Sequence, residues 1–154
     1  MNIWTIKFDG ACWDNGSPSA KCAAAAIAYL NGKVHIERAE YLGRGTNNTA
    51  EFTGLLMAMQ LLQELHAFEK ATGGGDYKFK IMGDSMLAVN GFTGKFKIKH
   101  AALLPLLKAS LDITLELGFR PEVLWCPREN NAEADRAAEA ALRTGAACER
   151  QGWG

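Results

Sequence analysis

The sequence predicts an α/β fold with a five-stranded mixed sheet and helices packed on its faces. The clearest signal is Asn31-Gly32, which separates two strand-like runs at residues 21–30 and 33–42 and indicates a β-hairpin. After this hairpin, strand-like segments alternate with segments of helical periodicity, a pattern typical of parallel strands connected by helices. The predicted sheet therefore has an antiparallel first half and a parallel second half.

The first three predicted strands form an antiparallel meander. The first spans residues 3–9 and alternates apolar with polar side chains, with Asp9 at its end on the polar face. Turn-forming residues 13–20 lead into the second strand, 21–30. Its alanine run favours a helix by propensity alone, but the hairpin that follows favours a strand. Alanines in a strand would let another element pack closely on the sheet.

The rest of the chain predicts four helices and two strands. In order, these are a helix at about 50–70, a strand at 77–82, a short helix at 84–92 closed by Asn90-Gly91, a helix at 100–117 with Gly118 as its C-cap, a strand at 120–127 and a helix at 130–145. The first, fourth and fifth strands are expected to run parallel. Ligand sites in such sheets gather at the carboxyl ends of the parallel strands.

Length and composition predict one soluble domain. A chain of 154 residues can bury a sizeable core, here at about 1–144, followed by a C-terminal tail at 145–154. The sequence has no apolar run long enough to span a bilayer and no secretory leader, so we expect a monomer in the cytoplasm. Its four cysteines form no C-x-x-C pair, which argues against a zinc site and favours reduced thiols.

The charge is balanced overall but uneven along the chain. Seventeen basic and seventeen acidic residues give a net charge of zero, which argues against a protein that binds nucleic acid over its whole surface. However, residues 85–111 contain no acid and include Lys95, Lys97 and Lys99. This stretch is either an ordinary solvated face or a local phosphate-binding patch.

Four acidic residues are expected near the same end of the sheet. Asp9 and Asp84 close predicted strands, Glu51 falls in the first turn of a helix, and Asp135 falls in the early turns of the last helix. Each has a simpler explanation, as a solvent-facing side chain, a helix N-cap or a partner of a helix dipole. Four converging carboxylates would repel one another, however, and the usual remedy is a hard divalent cation such as Mg²⁺ or Mn²⁺.

Four segments also resemble the signature segments of type 1 ribonuclease H. In order, they are "FDGACWDNG", "GTNNTAE", "GDSMLAV" and "NNAEADRAAEAAL", and the resemblance runs from about Ile3 to Leu142. It implies the RNase H-like fold and hydrolysis of the RNA strand of RNA–DNA hybrids with two Mg²⁺ ions, for which Mn²⁺ can substitute, leaving 5′-phosphate and 3′-hydroxyl ends. It assigns metal binding and catalysis to Asp9, Glu51, Asp84 and Asp135.

The resemblance also implies which residues contact the hybrid duplex. Those aligned with the family's backbone and phosphate contacts are Asn15, Arg44, Thr46, Asn47 and Asn48, and the patch Lys95, Lys97 and Lys99 would add phosphate contacts. The asparagines would equally suit turns. Gly10 and Ala11 are expected to leave room for the phosphate and an ion.

The chain departs from the family at two positions. Met86 stands where many members have a glutamine that reaches the RNA strand, and Met86 is either a substrate-facing residue or a core residue packed on the helix that follows. The loop before Asp135 also lacks the histidine found in many members, which places the chain with a histidine-lacking branch. Arg128 or Glu129 could take a related role.

Three other functions remain open from the sequence. A catalytically weak nucleic-acid-binding module would have little use for four clustered acids. Another two-metal nuclease of the superfamily, such as a resolvase or integrase core, would have different acid spacing and usually needs a dimer or added domains. A small-molecule α/β domain is disfavoured because the chain has no Gly-rich phosphate loop between a strand and a helix.

Overall fold

A computed structural model describes residues 1–151, so the last three residues of the predicted C-terminal tail lie outside the described part. Its strands are β1 (Asn2–Trp13), β2 (Lys21–Leu30), β3 (Lys33–Gly43), β4 (Tyr77–Gly83), β5 (Glu122–Trp125) and β6 (Cys148–Gln151). Its helices are α1 (Asn47–Thr72), α2 (Met86–Thr93), α3 (Leu104–Leu117) and α4 (Ala132–Thr144), with a short 3-10 turn at Arg128–Asn130.

The strands form one mixed sheet in the order β5-β4-β1-β2-β3-β6. β1, β2 and β3 pair antiparallel, whereas β4 runs parallel to both β1 and β5. At the β2–β3 turn, Asn31 and Gly32 have φ angles of 51° and 88°, which suits the tight hairpin that Asn-Gly favours. The predicted meander and parallel second half are therefore confirmed.

The prediction of five strands is wrong, because the sheet has a sixth. Residues 148–151, predicted as part of a C-terminal tail, pair antiparallel with residues 36–39 of β3. All four residues of β6 are exposed, so the segment carries none of the apolar alternation that identifies a strand in sequence. Backbone pairing and an ion pair between Arg38 and Glu149 hold it at the edge of the sheet.

Several element boundaries also differ, each for a local reason. β1 continues to Trp13, the first residue of the predicted loop, because residues 10–13 pair with residues 21–24 of β2. α1 begins at Asn47 because the side chain of Thr46 caps it by accepting a hydrogen bond from the Thr49 N–H. α2 does not close at Asn90-Gly91 but continues to Thr93, ending at Gly94 in a left-handed conformation.

Helices cover both faces of the sheet. On one face, α1 packs Phe52 and Leu55 into the main apolar core with Trp4 and Phe8 of β1. On the other face, α4 packs through small residues, including Ala138, onto the odd-numbered alanines of β2. The alanine run therefore lets helices approach closely, as expected. None of the helices within residues 1–151 is long and apolar enough to cross a membrane.

Glycines bring the α1 backbone against the end of β1. A Cβ atom on Gly10 would lie 2.4 Å from the Ala50 carbonyl carbon and the Glu51 nitrogen, and one on Gly54 would lie 2.8 Å from the Asp9 carbonyl oxygen. The backbone of α1 therefore occupies the position that a Gly10 side chain would need, which places Glu51 beside Asp9. Gly10 and Ala11 also line the cleft that holds Glu51, and the expectation that they leave room for a phosphate and an ion stays a prediction.

We predict that Gly10→Ala lowers the free energy of unfolding by about 1–3 kcal/mol, because the added methyl group must push backbone atoms apart. Urea unfolding with the parent protein measures this change. Gly74→Ala is the matched control, since the nearest atom to its added Cβ is 3.9 Å away. Equal urea midpoints for the Gly10→Ala and Gly74→Ala variants would contradict the close approach.

Candidate metal and nucleic-acid site

Three carboxylates meet where the C-terminal half of β1 lies beside the carboxyl end of β4. One oxygen from each of Asp9, Glu51 and Asp84 lies within 4.8 Å of the others. Asp84 directly follows β4 and Glu51 reaches back from α1, but Asp9 lies within β1, which continues for four more residues to Trp13, so the prediction that Asp9 closes the first strand is wrong. Asp9 and Glu51 are buried, at 5% and 8% exposure, so Asp9 is not a solvent-facing strand residue. The predicted convergence of these three acids is confirmed.

The fourth predicted acid, Asp135, lines the same cleft without joining the close group of three. The cleft has a volume of about 360 Å³, and the carboxylates of α4 that line it are Asp135 and, one helical turn later, Glu139. Glu139 accepts a 3.2 Å hydrogen bond from the Trp13 indole N–H. Sequence reasoning missed Glu139, although its spacing of four residues from Asp135 places both on one helix face.

Two of the simpler explanations for the acids are wrong. Ser85, not Asp84, caps α2, because its side chain accepts a 3.1 Å hydrogen bond from the Ala88 N–H. Glu51 is the fifth residue of α1 and so lies beyond the first turn. Asp135, in contrast, does lie in the first turn of α4, where it also favours the helix dipole. Asp84 and Glu51 are thus not explained by helix capping.

Burial and mutual repulsion make this cluster resist ionisation. Burial raises the pKa of Asp9, and a hydrogen bond to Glu51 and the charges of the neighbouring acids raise it further. Burial also raises the pKa of Glu51, and the charge of Asp84 adds to this effect. Hydrogen bonds from Asp9 and from the Gly10 N–H, together with the Arg128 charge, partly oppose the rise in the Glu51 pKa. Without a cation, a proton therefore stays in the cluster at neutral pH.

The donor set fits a hard divalent cation. The three clustered side chains offer only carboxylate oxygens, and two of them are held away from bulk water, where excess negative charge is costly. Among the described residues that line the cleft, Arg128 is the one basic side chain, and Glu129 does not line it. Mg²⁺ or Mn²⁺ suits this all-oxygen environment better than a metal that prefers nitrogen or sulfur ligands.

A basic groove adjoins the acidic cleft. It has a volume of about 330 Å³, and its polar lining residues are Asn15, Thr46, Asn48, Lys97, Lys99 and His100. Asn48 lines both the groove and the cleft, so the two depressions are adjacent. The Asn15 side chain accepts a 2.9 Å hydrogen bond from the Asn47 N–H, so it links the β1–β2 loop to the start of α1.

Not every predicted contact residue lies in this groove. Asn47 lines the acidic cleft instead, whereas Lys95 and Arg44 are exposed but line neither depression. Met86 is 54% exposed at the start of α2, so the alternative that it is a core residue is wrong. Beside it, the indole N–H of Trp125, which sequence reasoning missed, donates a 3.1 Å hydrogen bond to the Asp84 carbonyl.

The three histidines lie outside the acidic cleft. His35 packs edge-on against Trp4, His66 hydrogen-bonds to Tyr77, and His100 lines the basic groove. The loop before α4 contributes Arg128 to the cleft instead. Membership of a histidine-lacking branch stays a prediction.

Comparisons with known proteins identify relatives of the chain. The model of the reverse transcriptase-like family matches residues 7–141. The bifunctional protein Rv2228c of Mycobacterium tuberculosis (strain ATCC 25618 / H37Rv) is 31% identical over 137 residues, which are 89% of this chain and 35% of that protein. The uncharacterized protein Mb2253c of Mycobacterium bovis matches to the same extent. The chain thus spans about a third of the length of these curated relatives.

Solved structures share the fold. The N-terminal RNase H domain of Rv2228c from Mycobacterium tuberculosis is 27% identical with a TM-score of 0.73, covering 94% of this chain and 96% of that one. RNase H1 from the halophilic archaeon Halobacterium salinarum NRC-1 is 26% identical with a TM-score of 0.74, covering 92% and 98%. LC11-RNase H1, solved in complex with an RNA/DNA hybrid, has a TM-score of 0.79 at 24% identity, covering 92% and 98%.

The family model spans most of the chain, and the sheet and helices match those of ribonucleases H along nearly their whole length. The chain therefore belongs to the reverse transcriptase-like family, among the type 1 ribonucleases H.

Proposed function

We propose that this chain is an endonuclease that hydrolyses the RNA strand of RNA–DNA hybrids, leaving 5′-phosphate and 3′-hydroxyl ends. The observation that carries the proposal is the group of three carboxylates, Asp9, Glu51 and Asp84, in a cleft that lies beside a lysine-lined groove. Asp135, on the same cleft, would complete the ligand set for two Mg²⁺ ions. When bound, these ions would supply Lewis-acid chemistry that activates a water and stabilises charge on the leaving oxygen.

The chain's own residues prepare this chemistry by fixing charge in place. Asp9 lies within β1, Asp84 directly follows the neighbouring parallel strand β4, and the Gly10 N–H orients the Glu51 carboxylate by donating to it. Because these groups lie on packed elements, little reorganisation is needed when a cation binds. Arg128 supplies a positive charge at the cleft, where it would offset part of the negative charge of an entering phosphate.

The adjoining groove suits a nucleic-acid backbone. Lys97 and Lys99 would contact phosphates, and the amides of Asn15 and Asn48 are of the kind that contacts the 2′-hydroxyls and backbone of a hybrid. Support comes from the relatives, one of which was solved with an RNA/DNA hybrid. The proposal covers this domain alone, since the curated relatives are about three times as long. A monomeric state and a cytoplasmic location stay predictions.

We predict that Asp9→Asn or Asp84→Asn reduces hybrid cleavage by more than about 100-fold in Mg²⁺, because each change removes a charge that would hold the cations. Cleavage of a labelled RNA–DNA hybrid, beside RNA duplex, DNA duplex and single strands, measures the effect. Asp76→Asn, an exposed carboxylate just before β4, is the control and should retain parental activity. Near-parental cleavage by either site variant would refute the assignment.

The same Asp9→Asn variant should not lose stability when metal is absent. The folded pKa of Asp9 is raised, so the parent loses stability as pH rises above the ordinary value of 3.8. The amide does not titrate, and the variant should therefore melt at least as high as the parent at pH 7 without metal, with the difference vanishing near pH 3. Added Mg²⁺ should raise the melting temperature of the parent more than that of the variant.

We predict that replacing Lys95, Lys97 and Lys99 together by alanine weakens hybrid binding more than it slows turnover at saturating substrate. Each lost phosphate contact should flatten the slope of log affinity against log salt by about one counterion. The control is a triple replacement of Lys33, Lys70 and Lys78, which are exposed near the other end of the sheet. An equal salt slope in both triple variants would mean that the predicted patch is only a solvated face.

We predict that Met86→Gln raises cleavage efficiency on hybrids several-fold without lowering the melting temperature. Because Met86 is exposed at the start of α2, a glutamine there stays solvated and can offer a hydrogen bond worth about 1 kcal/mol to the RNA strand. Met86→Leu keeps the apolar character and should show no gain. A Met86→Gln variant with unchanged kinetics on hybrids would place this side chain outside the substrate surface.

A further inference from the structure

Asn131 joins three of the elements that carry the acids. It immediately precedes α4 and is 1% exposed. Its side-chain amide group donates one hydrogen bond of 2.8 Å to the Phe8 carbonyl, next to Asp9, and another of 3.1 Å to a carboxylate oxygen of Asp84. Its backbone carbonyl accepts a 3.1 Å bond from the Asp135 N–H. One residue therefore contacts β1 next to Asp9, the residue after β4 and the first turn of α4.

The orientation of this amide is fixed by its partners. The Phe8 carbonyl and the Asp84 carboxylate are both acceptors, so the NH₂ end must face them. The side-chain oxygen of Asn131 is then buried without a hydrogen-bond partner among the described residues. An unpaired buried acceptor costs about 1–3 kcal/mol, which offsets part of the stability that the two donated hydrogen bonds contribute. The amide thus directs both of its N–H groups at the site although its oxygen is left unpaired.

The surroundings of Asn131 make the contact rigid. The 3-10 turn just before it is tied to the sheet because Lys7 donates a 2.8 Å hydrogen bond to the Asn130 carbonyl. The first turn of α4 is tied to β2 because the Tyr29 hydroxyl donates a 2.6 Å bond to Glu133. A side chain held on both sides can in turn hold the Asp84 carboxylate in one orientation.

We propose that Asn131 is a positioning residue for the cation site, orienting the Asp84 carboxylate and fixing α4 so that Asp135 faces the same cleft. The amide bonds to one Asp84 oxygen and leaves the other oxygen for a cation. This inference rests on the proposed function for its activity readout, but its main test is cation binding. Loss of such an outer partner typically lowers metal affinity or activity by about 10–100-fold.

The test compares the Asn131→Ala and Asn131→Ser variants with an Asn130→Ala control. Asn130 is the exposed neighbour of Asn131, and it forms hydrogen bonds through its backbone N–H and carbonyl groups. Calorimetry with Mn²⁺ or Mg²⁺ alone measures cation affinity, and a Mg²⁺ titration of hybrid cleavage measures the concentration for half-maximal activity. Asn131→Ala should weaken cation binding and raise that concentration by about tenfold or more. The Asn131→Ser variant keeps one hydrogen-bond donor, so its cation affinity should lie between those of the Asn131→Ala variant and the parent. The cation affinity of the Asn130→Ala variant should equal that of the parent.

Three results separate the outcomes. An Asn131→Ala variant that melts lower but binds Mn²⁺ as the parent does would overturn the positioning role and leave only a packing role. Should that variant fail to fold, the Asn131→Ser variant decides, because parental cation affinity in it would equally overturn the proposal. If the parent binds cations but cleaves no hybrid, the proposed function fails while the calorimetry still tests Asn131.

Discussion

The close approach of α1 to the C-terminal half of β1 is the constraint on which the rest of the site depends. Gly10 and Gly54 let the helix backbone lie directly against the strand, and this contact puts Glu51 beside Asp9. Both carboxylates are then buried at a place where a third, Asp84, is close by. The large apolar core beneath, which includes Trp4, supplies the stability that lets the fold tolerate this unfavourable arrangement.

The repulsion within the cluster links structure to function. Burial and neighbouring charge raise the pKa values of Asp9 and Glu51, so the metal-free protein holds a proton where a cation would be favoured. Rigid strand ends, the Gly10 N–H and the Asn131 amide keep the carboxylates from moving apart. The carboxylates therefore repel one another in the metal-free protein, and a bound cation would relieve this repulsion.

A net charge of zero conceals a sharp separation of charge. Five acids line one cleft, and two lysines of the acid-free segment, Lys97 and Lys99, line the groove beside it, with Asn48 common to both. A substrate that carries phosphates along its length can therefore meet positive charge in the groove and cation ligands in the cleft. Composition averaged over the chain cannot reveal this arrangement, because it depends on which surfaces the fold brings together.

The sequence by itself determined the mixed sheet, the helices between strands and three converging acids. These follow from local rules: Asn-Gly at the hairpin, apolar periodicity, and Asp9 and Asp84 late in or directly after two strands of the predicted parallel set. Only the tertiary structure decided that β6 pairs with β3, because an exposed polar strand has no periodic signal.

Tertiary structure also decided that Gly10 accommodates the backbone of α1, and that Met86 is exposed. The same holds for the contacts of Glu139 and Asn131 at the site, since they join segments more than 40 residues apart. Such contacts depend on packing between elements, which no local pattern in the sequence specifies.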